Sequence, residues 1–277
     1  MSPLVSVYIP TYNRSSLVKR AVESVKNQTY KNIEVIVVDD GSSDDTEEVV
    51  KSLVGGDTAV RFYKNENTKG ACGCRNTAIK YAQGEYITGL DDDDEFTPDR
   101  VETFVTFFEK NRYPYISSGI VFRGDKGDFI EFDKAGVITL DDLCQSNVIG
   151  NQVFTTTENM REIGGFDNAS PAWQDYDTWL RLAAKFGNGY RIGGATYIQY
   201  LDHGFNRITK SKKLKNGYEF FINKHAALLN EKAIKTLYFQ YKLAAEEKLS
   251  FSELLTLTDT RVFLGATKYY LKGLLRK

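Results

Sequence analysis

A chain of 277 residues, 42% apolar and 26% charged, is long enough to bury a sizeable core and has the make-up of a globular protein. Its three cysteines, Cys72, Cys74 and Cys144, are too few and too odd in number for a disulfide framework, which points to a reducing, cytoplasmic setting. The net charge of −1 is uneven: from Arg207 onward 15 Lys and Arg face 6 Asp and Glu (+9), leaving −10 for residues 1–206.

The N-terminus carries no basic stretch followed by an apolar one, and no run of 18 apolar residues occurs, so neither a leader nor a membrane span is expected. Val5 to Ile9 alternates as a strand that Pro10 should end. Ser15 or Ser16 can cap a helix with Leu17, Ala21, Val22 and Val25 at helical spacing. Ile33 to Val38 is almost wholly apolar, the mark of a strand covered on both faces. Asp39-Asp40-Gly41-Ser42-Ser43 then turns into a helix with Val49, Val50 and Leu53 inward. A strand at Val60–Tyr63, a helix from Ala71 to Ala82 and a strand from Tyr86 to Leu90 follow.

Directly after that strand stands Asp91-Asp92-Asp93-Asp94. Four adjacent carboxylates repel one another and invite a hard divalent cation such as Mg²⁺ or Mn²⁺. In an extended segment Asp91 and Asp93 would face one point and Asp92 and Asp94 another. A charged turn leading into the helix start Thr97-Pro98-Asp99 is the alternative reading. Strand–helix alternation predicts a doubly wound, mostly parallel α/β sheet, whose ligands sit beyond the carboxyl ends of the strands. Thr11 to Arg14, Asp39-Asp40 and Asp91–Asp94 all fall at that edge.

Residues 98–110 read as an amphipathic helix with Val101, Phe104, Val105 and Phe108 inward, and Tyr115 to Phe122 as a strand. After Lys210 the pattern turns helical through Tyr218, Phe221, Ile222 and Leu229, then Leu237–Leu249 and Val262–Leu275. This places one domain over 1–210, with halves at about 1–98 and 99–210, and a C-terminal helical extension over 211–277.

Pro10-Thr11-Tyr12-Asn13-Arg14, Val38-Asp39-Asp40-Gly41-Ser42, Arg75-Asn76, Leu90 to Asp94 with Pro98, Gly164-Gly165-Phe166-Asp167 and Asp175 to Arg181 follow in a telling order and spacing. Together they resemble glycosyltransferase family 2 over residues 3–210. The resemblance implies a GT-A fold and an inverting, metal-dependent enzyme that takes a nucleotide-sugar, a UDP-sugar first. Its acceptor would be a glycan or a lipid-linked sugar in bacterial surface polysaccharide or lipopolysaccharide assembly.

On the donor side Pro10, Thr11 and Tyr12 would hold a uracil-type base, Asp40 would accept its N–H, and Arg14 and Arg75 would lie near the donor. Arg75 could equally be a helix-surface charge. The Asp-x-Asp motif falls on Asp91 and Asp93, with Asp93 as metal ligand for Mn²⁺ or Mg²⁺, Asp92 on the ribose and Asp91 in support. The base for the acceptor hydroxyl maps to Asp175, while Gln174 stands where the family has Glu. Trp173 is a sugar platform or a packing aromatic. Asp177 and Arg181, at i and i+4, read as a structural pair, His203 as a further metal or phosphate ligand or a structural histidine, and His225 as packing. Arg207 and Lys210 could close over the diphosphate.

A nucleotidyltransferase would want glycines after the first strand, and Pro10–Arg14 has none. A non-catalytic nucleotide- or glycan-binding subunit of the same fold is the other alternative. Nucleic acid is not an expected partner, because basic and aromatic residues do not interleave on an acidic body. In the last segment Val262, Phe263, Ala266, Tyr269, Tyr270 and Leu274 gather on one side of a helix flanked by Lys268, Lys272, Arg276 and Lys277. That face would lie on the inner surface of an anionic membrane, or pack on the body or on a second subunit of a homo-oligomer.

Overall fold

Apolar, β-branched runs build the centre of the molecule. In the computed structural model, which describes residues 2–54, 58–65, 69–125, 127–150, 152–201 and 211–275, strands β1 (Val5–Thr11) and β2 (Ile33–Asp39) are buried along their whole length. His203, Arg207, Lys210, Arg276 and Lys277 lie outside the described residues. Helices α1 (Ser15–Lys26), α2 (Thr46–Ser52) and α3 (Ala71–Tyr81) alternate with β1, β2, β3 (Ala59–Lys64) and β4 (Tyr86–Gly89). The next elements are β5 (Glu95–Phe96), α4 (Arg100–Lys110), β6 (Tyr115–Arg123), β7 (Phe129–Glu131), β8 (Gly136–Ile138) and α5 (Leu140–Gln145). After them come β9 (Phe154–Thr156), α6 (Thr157–Glu162), α7 (Gln174–Phe186) and β10 (Gly189–Tyr200). Helices α8 (Ser211–Lys224), α9 (Glu231–Ala244), α10 (Phe251–Thr256) and α11 (Phe263–Leu275) close the chain.

The sheet runs β3-β2-β1-β4-β9-β6-β10-β5, with β7 beside β6 and β8 beside β10. Its first four strands are parallel, β6 and β10 are parallel, and β9 is antiparallel to both neighbours. Alternate residues of β1 and β2 feed two cores: Tyr8, Ile36 and Val38 on one face, Val5, Val7, Ile9, Val35 and Val37 on the other.

Pro10 does not end β1, which continues to Thr11 with Pro10 opposite Val38. Leu90 N–H bonds Tyr8 O, so even-numbered residues of β1 face β4, which stops opposite Tyr8. The missing N–H of Pro10 therefore falls where no ladder partner remains. Helix α1 takes Arg14 as N-cap, with no side-chain cap from Ser15 or Ser16, and buries Val18 where Leu17 was expected.

The C-terminal helices pack on the body. Phe221, Leu229, Ala233 and Leu237 share a core with Leu143, Tyr176 and Leu180, and full burial of a side chain such as Phe221 contributes about 1.5–3 kcal/mol. Gly217 lets α8 approach the loop before α7: a Cβ there would lie 2.6 Å from Ala172 Cβ. Of the two courses expected for the apolar face of α11, membrane contact or packing, it takes packing, except that Leu274 is 55% exposed. Ala266 is buried with Phe239, Leu249, Leu254 and Leu257, and Val262, Phe263, Tyr269 and Tyr270 pack around them. A short cap and helix between α9 and α11 fold that face back onto α9, where it buries more apolar surface than water contact allows.

Candidate active site

At the carboxyl edge of the parallel strands the chain leaves β1 through Tyr12, which is 55% exposed, and Asn13, whose φ of 50° lies in the left-handed region. The Asn13 carboxamide accepts from Ser43 N, and Ser42 Oγ accepts from Asn13 N, so the turns after β1 and β2 brace each other. Asp40 accepts from Asn65 Nδ2 at 2.8 Å and from Gly70 N at 2.7 Å, which fixes the start of α3.

Asp91–Asp94 is a turn, not an extended segment, with Asp94 N–H bonded to Asp91 O at 3.1 Å. The expected split of side chains survives as a split in burial. Asp91 and Asp93 keep about a quarter of their side chains exposed (25% and 26%), whereas Asp92 and Asp94 are buried. Asp92 accepts from Thr11 Oγ1 at 2.8 Å and from Arg14 Nη1 at 2.9 Å. Burial pushes the Asp92 carboxyl up to about 6, with Arg14 opposing and Asp93 adding to the effect. Asp94 faces away and accepts from Tyr197 Oη at 2.8 Å and Tyr200 N at 3.1 Å, which ties the turn to β10.

A cavity of about 390 Å³ brings Pro10, Thr11, Tyr12 and Arg14 together with Asp40, Arg75 and Asp91–Asp93. The described residues expected around a nucleotide-sugar all line it, while His203, Arg207 and Lys210 lie outside the described residues. Gly70, Ala71 and Cys74 complete the wall; they are small residues at the start of α3 that carried no motif of their own. Both Cys72 and Cys74 are buried helix residues, and burial raises their thiols to about 12.

Arg75 is not a surface charge. It is 6% exposed, with Nη2 2.9 Å from Asp91 Oδ1 and Nη1 3.2 Å from Asp175 Oδ1. Asp175 lies in the first turn of α7, after Trp173, whose φ of 60° and ψ of 30° are a left-handed conformation that strains a bulky residue. Burial pushes the Asp175 carboxyl up to about 6; Arg75 opposes and Asp91 adds. Asp175 and Trp173 line a second cavity of about 650 Å³ with Pro171, Ala172, Gln174 and Tyr176. Lys213 and Leu214 of α8 and Gln240 and Ala244 of α9 form its far wall, and Gly70 and Ala71 line both cavities. The helical pattern of α8 and α9 was legible, but no motif pointed them at a site.

Trp173 packs edge-on to Tyr218 and Phe221, as a packing aromatic does, and it also lines the cavity. Asp177 and Arg181 do pair at 2.9 Å. His225 does more than pack, because its Nε2 lies 2.9 Å from Asp177 Oδ1.

Among the described residues no three His, Cys, Asp or Glu side chains converge to enclose a metal. The first cavity still fits a hard divalent cation, since Asp91 and Asp93 offer partly exposed oxygens. Mg²⁺ in particular takes one or two carboxylates and completes its shell with phosphate and water oxygens.

Residues 6–166 match the family model described as glycosyl transferase family 2. An Escherichia coli K12 protein, named provisionally as the colanic acid biosynthesis glycosyl transferase WcaA, is 35% identical over 269 residues, covering 94% of this chain and 95% of its own. Among solved structures, S. aureus TarS (residues 1–349) superposes with a TM-score of 0.69 at 18% identity, over 97% of this chain and 80% of that one. The mannosyltransferase PcManGT of Pyrobaculum calidifontis, solved with GDP-Man and Mn²⁺, gives 0.61 at 18%, over 100% and 76%. These two likenesses show the fold, which is that of GT-A glycosyltransferases. The family match and the WcaA relative go further: this chain belongs to glycosyl transferase family 2.

Proposed function

We propose that the chain moves a sugar, with inversion, from a nucleotide-sugar in the first cavity to a hydroxyl of a glycan or lipid-linked acceptor in the second. The observation that carries this reading is the position of Asp175 on the acceptor-side cavity, one ion pair from the donor-side Arg75. Tyr12 offers the base an aromatic face, and Asp40 accepts its N–H. Arg14 and Arg75 counter the diphosphate, and Asp93, with Asp91, holds a divalent cation. When bound, that cation neutralises charge growing on the diphosphate. Asp175 takes the acceptor proton as the acceptor oxygen bonds to the anomeric carbon, and the bond from that carbon to phosphate breaks on the opposite face.

A UDP-sugar is the first donor to test, and a bacterial surface polysaccharide is the product. Support comes from relatives whose names carry such roles: WcaA for colanic acid, and TarS solved with UDP-GlcNAc. Among the described residues no helix is long and apolar enough to cross a membrane. Contact with the inner leaflet would run through the solvent side of α11, where Leu264 (76% exposed) and Leu271 (53%) lie seven residues apart beside Lys268 and Lys272.

The test is nucleoside diphosphate release from a panel of UDP- and GDP-sugars by the wild type and Asp175→Asn. The variant should bind donor and lose transfer by at least about 10²-fold, the contribution of a positioned base. Transfer by Asp175→Asn at the wild-type rate would overturn the assignment.

A further inference from the structure

The contact between Arg75 and Asp175 is unusual in kind. Nη1 lies 3.2 Å from Asp175 Oδ1, yet that oxygen has no hydrogen-bond partner among the described residues, and neither has Arg75 Nε. Toward Asp91 the same guanidinium makes an aligned hydrogen bond at 2.9 Å. Arg75 thus holds the buried Oδ1 of Asp175 as a counter-ion and leaves the rest of the carboxylate to the second cavity, while the guanidinium is itself oriented on the other side by Asp91 and by the Phe166 ring 5.1 Å away. A proton from an acceptor hydroxyl would therefore go to Oδ2, the oxygen that Arg75 does not hold.

We propose that Arg75 is a positioning residue for the transfer reaction: it keeps Asp175 ionised and aimed at the second cavity, beyond any contact it makes with the donor. This rests on Asp175 being the base. The groups facing Asp175 leave the task to Arg75. On α3 the other neighbour is Cys72, and from β1 it is Tyr8; burial raises both, which keeps them neutral. Asp91, after β4, is an acid and works against ionisation. Across the cavity, Lys213 of α8 is an exposed lysine. A neighbouring opposite charge lowers a carboxyl by about 1–3 pH units, so without Arg75 the acidic limb of the reaction should move up.

The experiment measures the pH profile of UDP release from the UDP-sugar that the panel selects, for wild type, Arg75→Gln and Arg75→Lys, with the UDP affinity of each by calorimetry. Arg75→Gln should move the acidic limb up by about one pH unit or more. At pH 6 its loss should be about tenfold greater than at pH 8. Arg75→Lys, which keeps the charge but not the planar fork, should move the limb less. If Arg75→Gln fails to fold, Arg75→Met, which keeps the length of the side chain without its charge, takes its place, and an unmoved limb there overturns the proposal. An unmoved limb with UDP affinity lost would leave Arg75 a donor ligand only, and an unmoved limb with a lowered melt would leave it structural; both overturn the inference. Asp175→Asn separates the two levels. If it is inactive while the Arg75 limb stays put, the base reading stands and this one falls; if it is active, the base reading itself falls.

Discussion

His225 Nε2, one residue past the end of α8, lies 2.9 Å from Asp177 Oδ1 on α7, two residues past Asp175. Lys224 reaches the same oxygen at 2.7 Å, and Arg181 takes the other at 2.9 Å. Asp177, at 1% exposed, therefore fastens the C-terminal helices to the helix that carries the candidate base.

Burial alone would raise the Asp177 carboxyl, but hydrogen bonds from His225 and Lys224 and the charge of Arg181 outweigh it and hold it at about 2. The folded value is depressed below the unfolded value of about 3.9, so the stabilisation is present above pH 4 and is lost as pH falls from 4 toward 2. Asp177→Asn should cost about 3 kcal/mol, the low end for breaking a buried pair. The low end applies because Arg181 keeps the carbonyls of Ile163 and Gly165, and Lys224 keeps Asp167. Denaturant melts at pH 7 and pH 3 check this: the gap between variant and wild type should shrink to about half at pH 3. A constant gap would sink the account.

Gly217→Ala sets two effects against each other. Alanine favours a helix interior by about 1 kcal/mol over glycine, but the new methyl meets Ala172 at 2.6 Å. Overpacking of that kind costs about 1–3 kcal/mol, so the clash wins and α8 shifts away from the loop before Trp173. The expected outcome is an acceptor KM raised several-fold with donor affinity unchanged. A higher melt with unchanged acceptor KM would mean that the Ala172 loop simply yields.

Much of this site was legible because its chemistry sits in short, ordered motifs at one sheet edge. Tyr12, Asp40 and Asp91–Asp93 each follow a strand directly, so strand positions alone placed them together. Arg75 was ambiguous because a helix position says nothing of what the helix packs on; its burial comes from Phe166 and Asp175, about 90 and 100 residues later. The same limit hid Gln152, whose amide joins Tyr8 to Asp91 across more than 60 residues. In α11 Val262, Phe263, Ala266, Tyr269 and Tyr270 of the expected stripe do pack and Leu274 does not, and periodicity cannot tell a face that meets lipid from one that meets Phe239 and Leu257.

On the proposed reading a divalent cation would be held by the two partly exposed carboxylates of the turn. Asp93→Ala should reduce nucleoside diphosphate release by about 10²-fold or more, since charge stabilisation by a cation amounts to several kcal/mol. The melt should hardly move, because the side chain is not in a core. Chelation of the wild type with EDTA should do the same and Mn²⁺ or Mg²⁺ should restore it. Full activity in EDTA would remove the cation from the mechanism.

On the solvent side of α11 Leu264 and Leu271 stand beside Lys268 and Lys272, and Leu274 is exposed as well. Each lysine at an anionic surface contributes about 1 kcal/mol, and partial burial of Leu264 and of Leu271 a similar amount on the scale of about 25 cal/mol per Å². The sum, about 4 kcal/mol, supports only weak and reversible attachment, as a single lipid anchor does. Binding to phosphatidylglycerol vesicles should therefore be detectable at low salt, fade toward 0.5 M salt as charges are screened, and vanish in Leu264→Ser/Leu271→Ser. Because these side chains point away from Phe239 and Leu257, the double variant should keep its melt and its activity on a soluble acceptor. Vesicle binding that resists salt, or that survives the double variant, would shift the contact to another face, and no binding at any salt would leave α11 a packing helix alone.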